Sequence, residues 1–297
     1  MAVTAGGARS AAPNLVLQGI CWAVAAAMFH SLVPVAVRWM SAKFPAIEIV
    51  FLRNLLGFLF LLALYSGRGL TALRTKRISI HIQRSLSNFI GMWMWFYAIG
   101  IMPIGQAIAL HFTTPLWAAL LAVMILRERP GMSRWVAIGA GFVGVMVILR
   151  PGSVPFGWAS AMVLASASLY AMTTIYTRVV GRTDDAGVTT FYYQFFLMAF
   201  SAGPALWTWV MPSWSDMPAI LMLGAVGTIA PYCIIRALKS AEATVTAPFD
   251  FLRMPFTTFM GFLFFNESTS IWVWVGGAII FGATYYMTWR EARAHRG

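Results

Sequence analysis

The stretch from Ile104 to Leu126 reads IGQAIALHFTTPLWAALLAVMIL and contains no Asp, Glu, Lys or Arg. A helix of roughly 20 apolar residues is long enough to cross the hydrocarbon core of a bilayer. A strand of a membrane β-barrel has only about 10 residues, with apolar and polar side chains alternating, whereas this run is continuously apolar. The stretch therefore predicts a transmembrane α-helix and an all-α membrane protein.

The composition of the whole chain agrees with this prediction. Of its 297 residues, 60% are hydrophobic and 10% are charged, and the mean hydropathy is +0.76. A soluble domain typically carries about 25% charged residues, and no water-soluble core encloses this many apolar side chains. We predict a polytopic helical membrane protein without a sizeable soluble domain.

Ten apolar segments are predicted to span the membrane, once the chain is divided at its charged and its Pro/Gly-rich clusters. They are Leu15–Trp39, Ile47–Ser66, Arg84–Ile101, Ile104–Leu126, Ser133–Leu149, Phe156–Tyr176, Gly187–Val210, Met217–Leu238, Thr244–Phe265 and Ile271–Trp289.

Basic residues are unevenly distributed among the predicted loops. The chain has 21 Lys and Arg against 9 Asp and Glu, which gives a formal net charge of +12. Sixteen of the 21 fall in the two tails and in the loops after spans two, four, six and eight, and three fall on the opposite side. Cytoplasmic loops carry such an excess of Lys and Arg, so we predict that both termini are cytoplasmic. The positive charge is explained in this way and indicates no nucleic-acid partner.

The two halves of the sequence resemble each other. Residues 98–144 can be laid over residues 237–283 at a constant offset, which matches Glu128 with Glu267. Because five spans per half is an odd number, the second half must lie upside down relative to the first. Inverted repeats are typical of transporters, whose binding sites lie near the membrane midplane between the halves. We therefore predict two inverted five-helix repeats around a central cavity; the alternative is an accidental similarity of apolar helices. The predicted halves are residues 1–150 and 151–297.

Three groups of motifs carry a resemblance to a known family. They are FLRNLLGFLFL at residues 51–61, Tyr97–Ala98 followed by Gln106–Ala107, and the run from Pro115 through Glu128 to the glycines of span five. Together they resemble the ten-span EamA type of the drug/metabolite transporter superfamily. The resemblance implies a metabolite exporter of the bacterial cytoplasmic membrane, with spans one to four and six to nine around the cavity and spans five and ten as scaffold. Within the family, the chain most resembles the exporters of aromatic and other neutral amino acids.

Five ionisable side chains lie inside the predicted spans: His30, Arg53, His111, Asp250 and Arg253. Such groups are costly in a bilayer and usually face a cavity or a partner. Asp250 and Arg253 are three residues apart on one helix, so they can pair. We predict that Asp250 holds the ammonium group of an amino acid and that Arg253 holds its carboxylate; the alternative is a purely structural ion pair. Arg53 is expected nearer the external surface, in a structural role.

Prolines accompany these residues. A helical proline removes the hydrogen-bond donor for the carbonyl four residues earlier, so the carbonyls of His30, His111 and Phe251 are expected to be free. Free carbonyls at membrane depth occur only where protein or cavity water satisfies them. His30 and His111 are therefore predicted to line the cavity, although proline also serves packing and kinks. His111 and Asp250 are the candidates for proton coupling, since a histidine titrates near physiological pH.

Three tyrosines are predicted to bind substrate: Tyr97, Tyr170 and Tyr232. A buried hydroxyl group needs a hydrogen-bond partner and so tends to face a polar lining. Tyr97 also lies one helical turn from Trp93, and the two rings can form a wall for an aromatic side chain. The alternative for each ring is ordinary packing or lipid contact.

Glycines are frequent in spans five and ten, where they are expected to allow close packing, within the monomer or in a homodimer. They are Gly139, Gly141, Gly144, Gly276, Gly277 and Gly282. The other expected partners are a small-molecule substrate and membrane lipid.

The motifs that the sequence lacks limit its function further. It contains no Walker A sequence, no HExxH and no Cys/His pair at zinc spacing, so we predict neither a cofactor nor a metal. We predict a secondary or facilitative exporter of neutral, especially aromatic, amino acids that works by alternating access. The alternatives are efflux of cationic drugs, polyamines or other small metabolites, and a membrane-embedded enzyme or channel.

Overall fold

The computed structural model describes residues 13–65, 75–126, 132–150, 157–181, 183–184, 186–240 and 243–294. Within these residues the chain consists of α-helices joined by turns and short connections. The helices are α1 Pro13–Met40, α2 Ala46–Tyr65, α3 Ile78–Ile101, α4 Ile104–His111, α5 Thr114–Leu126, α6 Met132–Leu149, α7 Trp158–Val180, α8 Ala186–Trp207, α9 Met217–Ser240, α10 Ala243–Asp250, α11 Arg253–Phe265 and α12 Ile271–Ala294. A 3-10 turn, Trp214–Asp216, precedes α9.

Seven stretches of the described helices are long and apolar enough to cross a membrane. They are Leu17–Met40, Ala46–Ala63, Ile104–Met124, Met132–Leu149, Trp158–Thr177, Trp214–Ala237 and Ile271–Arg290. A helix satisfies its backbone hydrogen bonds internally, as the bilayer core requires. The predicted all-α membrane protein is therefore confirmed.

The fourth and ninth predicted spans are each interrupted, where the sequence predicts one continuous helix. Two residues separate α4 from α5, and two residues separate α10 from α11. Pro115 and Pro255 lie in the first turn of the helix that follows each break. Proline is tolerated there because the first N–H groups of a helix have no partner within it. The prolines thus begin new helices instead of kinking one long helix.

The carbonyl groups at these breaks are satisfied, which corrects the prediction that they are free. The carbonyl of His111 accepts a hydrogen bond from the Thr114 hydroxyl at 2.7 Å. The carbonyl of Phe251 accepts one from the backbone N–H of Met254 at 3.0 Å. The breaks therefore change the direction of the side chains around them and leave neither of these two carbonyl groups unsatisfied.

Helix α3 begins at Ile78, earlier than the predicted start at Arg84. The added turns bury His81 against the connection between α7 and α8 and Arg84 against the first turn of α8. Nε2 of His81 lies 2.8 Å from Oδ2 of Asp184, and Nη2 of Arg84 donates to the carbonyl of Thr189 at 2.6 Å. The helix can begin with these polar residues because each of their side chains has a hydrogen-bond partner where it is buried.

Helices α2 and α8 run antiparallel to each other. At the start of α2, the Phe51 ring centroid lies 6.0 Å from that of Trp209, just after α8. Further along α2, Phe58 contacts Phe195 with centroids 5.8 Å apart. Since residue numbers rise along α2 as they fall along α8, the two helices point in opposite directions.

Helices α6 and α12 show the same arrangement. A Cβ atom on Gly144 would lie 2.8 Å from the carbonyl oxygen of Gly276, so the two backbones are in close contact. Nearer the start of α6, Ala137 and Ile138 cluster with Met287 near the end of α12. Two glycines of these helices thus serve packing within the monomer. By contrast, a Cβ atom on Gly139 or Gly282 would meet no neighbouring side chain or helix within 4 Å.

Glu267, which the sequence matches with Glu128, joins three elements at one end of the molecule. Its Oε2 accepts a hydrogen bond from the backbone N–H of Ile104 at 2.8 Å. Its Oε1 lies 3.0 Å from Nη2 of Arg38 at the end of α1. Glu128 itself lies outside the described residues.

Candidate substrate-binding site

The break after α4 places His111 among aromatic rings. Its ring centroid lies 4.3 Å from that of Trp95 on α3 and 5.0 Å from that of Tyr170 on α7. His111 and Tyr170, two of the predicted site residues, are thus brought together. Trp95, which is 5% exposed, is a third member that sequence reasoning missed, because nothing distinguishes it from the other tryptophans of an apolar span.

Arg253, at the start of α11, approaches the same region from the other half of the chain. Its guanidinium carbon lies 5.6 Å from the ring centroid of Phe112. Its charge acts electrostatically on both His30 and His111. The two helix breaks therefore place Arg253 beside Phe112, the residue that follows His111, and the charge of Arg253 also reaches His30 on α1.

The Arg53 side chain turns toward the protein interior. Its Nη1 lies 3.4 Å from the sulfur of Met92, and a Cβ atom on Gly227 would lie 3.2 Å from its Nε. Its charge acts on His30 and Tyr170. Among the residues that the structure describes, no carboxylate forms an ion pair with Arg53.

We refer to these side chains as the interior cluster: His30, Arg53, Met92, Trp95, His111, Tyr170 and Arg253. Four of its nitrogens are buried and have no hydrogen-bond partner within the described part of the chain: His30 Nδ1, Arg53 Nε, His111 Nε2 and Arg253 Nε. Buried polar groups are nearly always satisfied by protein, water or a ligand. The interior cluster therefore offers polar atoms that a bound molecule can satisfy.

A polar group from α3 and α8 adjoins the interior cluster. The hydroxyl of Tyr193 donates to Oδ1 of Asn88 at 2.7 Å, and the guanidinium carbon of Arg84 lies 5.1 Å from the Tyr193 ring centroid. Sequence reasoning missed both Asn88 and Tyr193. The amide inside an apolar span was a usable signal for Asn88, whereas Tyr193 is one of many aromatic residues in α8.

Asp250 lies beside the interior cluster and lines a separate groove. This lateral groove, a cavity of about 260 Å³, lies between the two helix breaks and α12. The side chain of Asp250 is 49% exposed, and its Oδ2 lies 3.5 Å from Nη1 of Arg253. That Asp250 and His111 face one cavity stays a prediction; the groove itself places Asp250 with Phe112, the residue after His111. The predicted contact between Asp250 and Arg253 is present.

Tyr97 and Tyr232 lie away from the interior cluster. Tyr97 is 42% exposed and shares an exposed stripe of α3 with Trp93 and Ile101. Tyr232 is 52% exposed and contacts Trp22 with ring centroids 6.1 Å apart. Their selection assumed a buried hydroxyl group, whereas both side chains are exposed; their role in substrate binding stays a prediction.

Comparison with known proteins identifies relatives along almost the whole chain. A model of the EamA-like transporter family matches residues 17–150 and 157–289. The riboflavin transporter of Rhizobium johnstonii is 31% identical over 287 residues, which cover 96% of this chain and 95% of that protein. The S-adenosylmethionine uptake transporter of Rickettsia prowazekii is 28% identical over 278 residues, which cover 94% and 95%.

A solved protein structure has the same fold. It superposes with a TM-score of 0.63 at 18% sequence identity, and the match covers 91% of this chain and 96% of the other. At this identity the likeness concerns the fold alone. The family model, however, matches both halves of the sequence, and the relatives are transporters. The resemblance inferred from the motifs is therefore confirmed: this chain is a membrane transporter that belongs to the EamA-like transporter family.

Proposed function

We propose that this transporter carries a neutral, planar aromatic metabolite of the flavin class through the interior cluster. The observation that carries the proposal is a guanidinium group on each side of the rings around His111. The guanidinium carbon of Arg253 lies 5.6 Å from the ring centroid of Phe112, the residue after His111. Nη1 of Arg53 lies 3.4 Å from the sulfur of Met92, one helical turn before Trp95. Within the described residues only Asp250 pairs with either arginine. The site thus combines aromatic faces with an excess of hydrogen-bond donors.

The chemistry of riboflavin fits this combination. Its tricyclic ring has large flat faces, and its edge carries carbonyl oxygens and ring nitrogens that accept hydrogen bonds. The guanidinium group is a planar donor that suits such acceptors. The rings of Trp95 and Tyr170 suit the flat faces, since aromatic groups favour offset-stacked and edge-to-face contacts. The name of the Rhizobium relative supports the same class of substrate.

Cationic substrates fit the interior cluster poorly. S-adenosylmethionine, named for the second relative, carries a sulfonium, an ammonium and a carboxylate group and is a net cation. Like charges within a few ångströms disfavour each other in a low-dielectric interior, and Arg53 has no carboxylate partner among the described residues. The same reasoning disfavours polyamines and cationic drugs.

A neutral aromatic amino acid is the second candidate. Arg253 can hold its carboxylate, and the Trp95 and Tyr170 rings can hold its side chain. Its ammonium group, however, needs an acid, and Asp250 lines the lateral groove instead. A flavin needs no acidic partner, so the geometry favours the flavin. In both cases Asp250 acts through Arg253, as a positioning residue.

For the architecture we propose ten spans in two inverted halves, residues 1–150 and 151–297, with each pair of helices around a break forming one interrupted span. The antiparallel packing of α2 with α8 and of α6 with α12 supports this arrangement. The basic loops support cytoplasmic termini in a bacterial inner membrane. Fluorescent-protein and alkaline-phosphatase fusions to the C-terminus test the orientation: only the former should be active.

Transport then proceeds by alternating access of the two halves around the interior cluster. Such a carrier has no fixed direction, because the gradients of the substrate and of any coupled ion decide it. Both the export expected from the sequence and the uptake named for a relative are compatible with this mechanism. We retain His111 and Asp250 as candidates for proton coupling.

Counterflow in proteoliposomes tests the proposed substrate. Vesicles that contain the purified chain are loaded with unlabelled riboflavin, S-adenosylmethionine or phenylalanine, and entry of the same labelled compound is followed. Riboflavin should give a transient overshoot and S-adenosylmethionine should give none. An overshoot with phenylalanine alone would establish the second candidate. Exchange of S-adenosylmethionine without riboflavin would overturn the proposal.

A further inference from the structure

The lateral groove lies outside the interior cluster and has its own aromatic lining. The ring centroids of Phe251 and Phe281 lie 4.4 Å apart, and those of Phe281 and Tyr285 lie 6.0 Å apart. Phe112 and Trp289 complete the lining. The groove therefore presents several ring faces around a cavity of about 260 Å³, which suits a compact ligand.

One acidic group stands at this aromatic surface. Asp250 is about half exposed, and its contact with Arg253 is a single one at 3.5 Å. An ion pair as open as this holds its carboxylate only weakly. The groove also contains the hydroxyl oxygen of Thr284, which is buried without a hydrogen-bond partner. The groove thus has an available anion and an unsatisfied hydroxyl group among aromatic rings.

We propose that the lateral groove is a second ligand site, distinct from the interior cluster, and that it binds a hydrophobic ammonium ion. Asp250 offsets the charge of Arg253 at the groove, whereas Arg53 in the interior cluster has no carboxylate partner among the described residues. Ammonium groups are attracted to the faces of Tyr, Trp and Phe rings, and the exposed Asp250 carboxylate adds a direct electrostatic contact. The apolar body of the ligand lies against the rings of α12. The ammonium group comes either from a soluble amine or from a zwitterionic lipid headgroup.

Binding of benzyltrimethylammonium to the full chain in lipid nanodiscs tests this site. Isothermal titration in phosphatidylglycerol discs should show saturable binding, and benzenesulfonate, which has the opposite charge, should not bind. Tyr285→Ala and Phe281→Ala should each weaken binding about tenfold. The matched control is Phe259→Ala, which removes an exposed ring of α11 outside the groove. Riboflavin counterflow should be unchanged in the Tyr285 and Phe281 variants.

Further outcomes separate the groove from the interior cluster and identify the source of the ligand. Binding should persist in the presence of saturating riboflavin and in Arg53→Gln. The affinity ratio of wild type to Phe281→Ala within one lipid cancels the surface charge of the discs. A smaller ratio in phosphatidylcholine than in phosphatidylglycerol discs assigns the site to lipid headgroups, and an equal ratio assigns it to soluble amines. No binding, competitive displacement by riboflavin, or wild-type affinity in both ring variants would overturn the proposal, whatever the transported substrate is.

Discussion

At the scale of single residues, Arg53 is the most informative side chain of the protein. A cation inside a membrane protein is costly and usually faces a partner or a cavity. Within the described part of the chain, the Arg53 guanidinium group lies against the sulfur of Met92 and the backbone at Gly227, and neither is an acid. The side chain therefore retains donors that a substrate can use.

Replacing Arg53 by Gln should lower riboflavin counterflow by about 10- to 100-fold, because a hydrogen bond to a charged group contributes roughly 1.5–3 kcal/mol. Arg53→Lys should recover only part of the rate, since an ammonium group lacks the planar fork. The control is Arg236→Gln, which removes an exposed guanidinium group that stacks on Trp22. Equal rates for Arg53→Gln and this control would remove Arg53 from the site.

His111 allows a separate test of proton coupling. Its ring is enclosed by Trp95 and Tyr170, and its Nε2 has no partner. If His111 takes up the coupled proton, His111→Gln should flatten the pH profile of riboflavin transport, because it removes the titratable imidazole. Tyr176→Phe, on the same helix as Tyr170, is a conservative control. An unchanged profile in His111→Gln would exclude this residue from coupling.

At the scale of elements, the helices were far more predictable than their interruptions. Apolar runs indicate spans because membrane insertion depends on composition over about 20 residues. The sequence also indicated Pro115 and Pro255, but it could not distinguish a kink from a new helix start. That distinction depends on which group satisfies the carbonyl before the proline. Here the Thr114 hydroxyl donates to the His111 carbonyl at 2.7 Å.

The candidate site could be predicted only in part, for a similar reason. An ionisable side chain inside an apolar span was the criterion that selected His30, His111 and Arg253. In the fold, the charge of Arg253 acts on both histidines. Tyr97 was selected by residue type alone, and it lies on an exposed stripe. Which face of an apolar helix meets the protein cannot be read from a sequence that is apolar on every face.

The packing of α6 on α12 gives a prediction at this scale. A Cβ atom on Gly144 would lie 2.8 Å from both the Gly276 carbonyl oxygen and Cγ1 of Ile280. Gly144→Leu should therefore lower the free energy of unfolding by roughly 1–3 kcal/mol or more, as overpacked cores do. Thermal unfolding in detergent measures the effect. Gly139→Leu, whose Cβ would meet no neighbouring side chain or helix within 4 Å, should unfold like the wild type. Equal losses in both variants would contradict the close packing.

At the scale of the whole molecule, polar contacts between the halves lie at both ends of the helix assembly. Arg38 and Glu267 join α1 to the end of α11, and His81 and Asp184 join α3 to the connection after α7. Both pairs link a residue of the first half to one of the second. Alternating access requires contacts of this kind to break at one end while they form at the other.

The Asp184 contact predicts a pH dependence of stability. Burial raises the pKa of this carboxyl group, but hydrogen bonds from Thr75, His81 and Thr183 outweigh it and hold the pKa below its ordinary value. A lowered folded-state pKa stabilises the protein above the unfolded-state value of about 3.9, and this contribution is lost as the pH falls below it. Asp184→Asn should therefore lower the unfolding temperature at pH 6, and the difference from wild type should shrink toward pH 3. A constant difference across that range would contradict the assignment.

We propose that Arg53 and Arg253, together with the rings around His111, form one binding site for a neutral planar aromatic molecule. Equilibrium binding of riboflavin to the purified chain tests it most directly, because stacking on aromatic side chains quenches the flavin's own fluorescence. We expect saturable quenching with the wild type and its loss in the double variant Arg53→Gln/Arg253→Gln. Saturable quenching of undiminished affinity in the double variant, or none with the folded wild type, would contradict the claim.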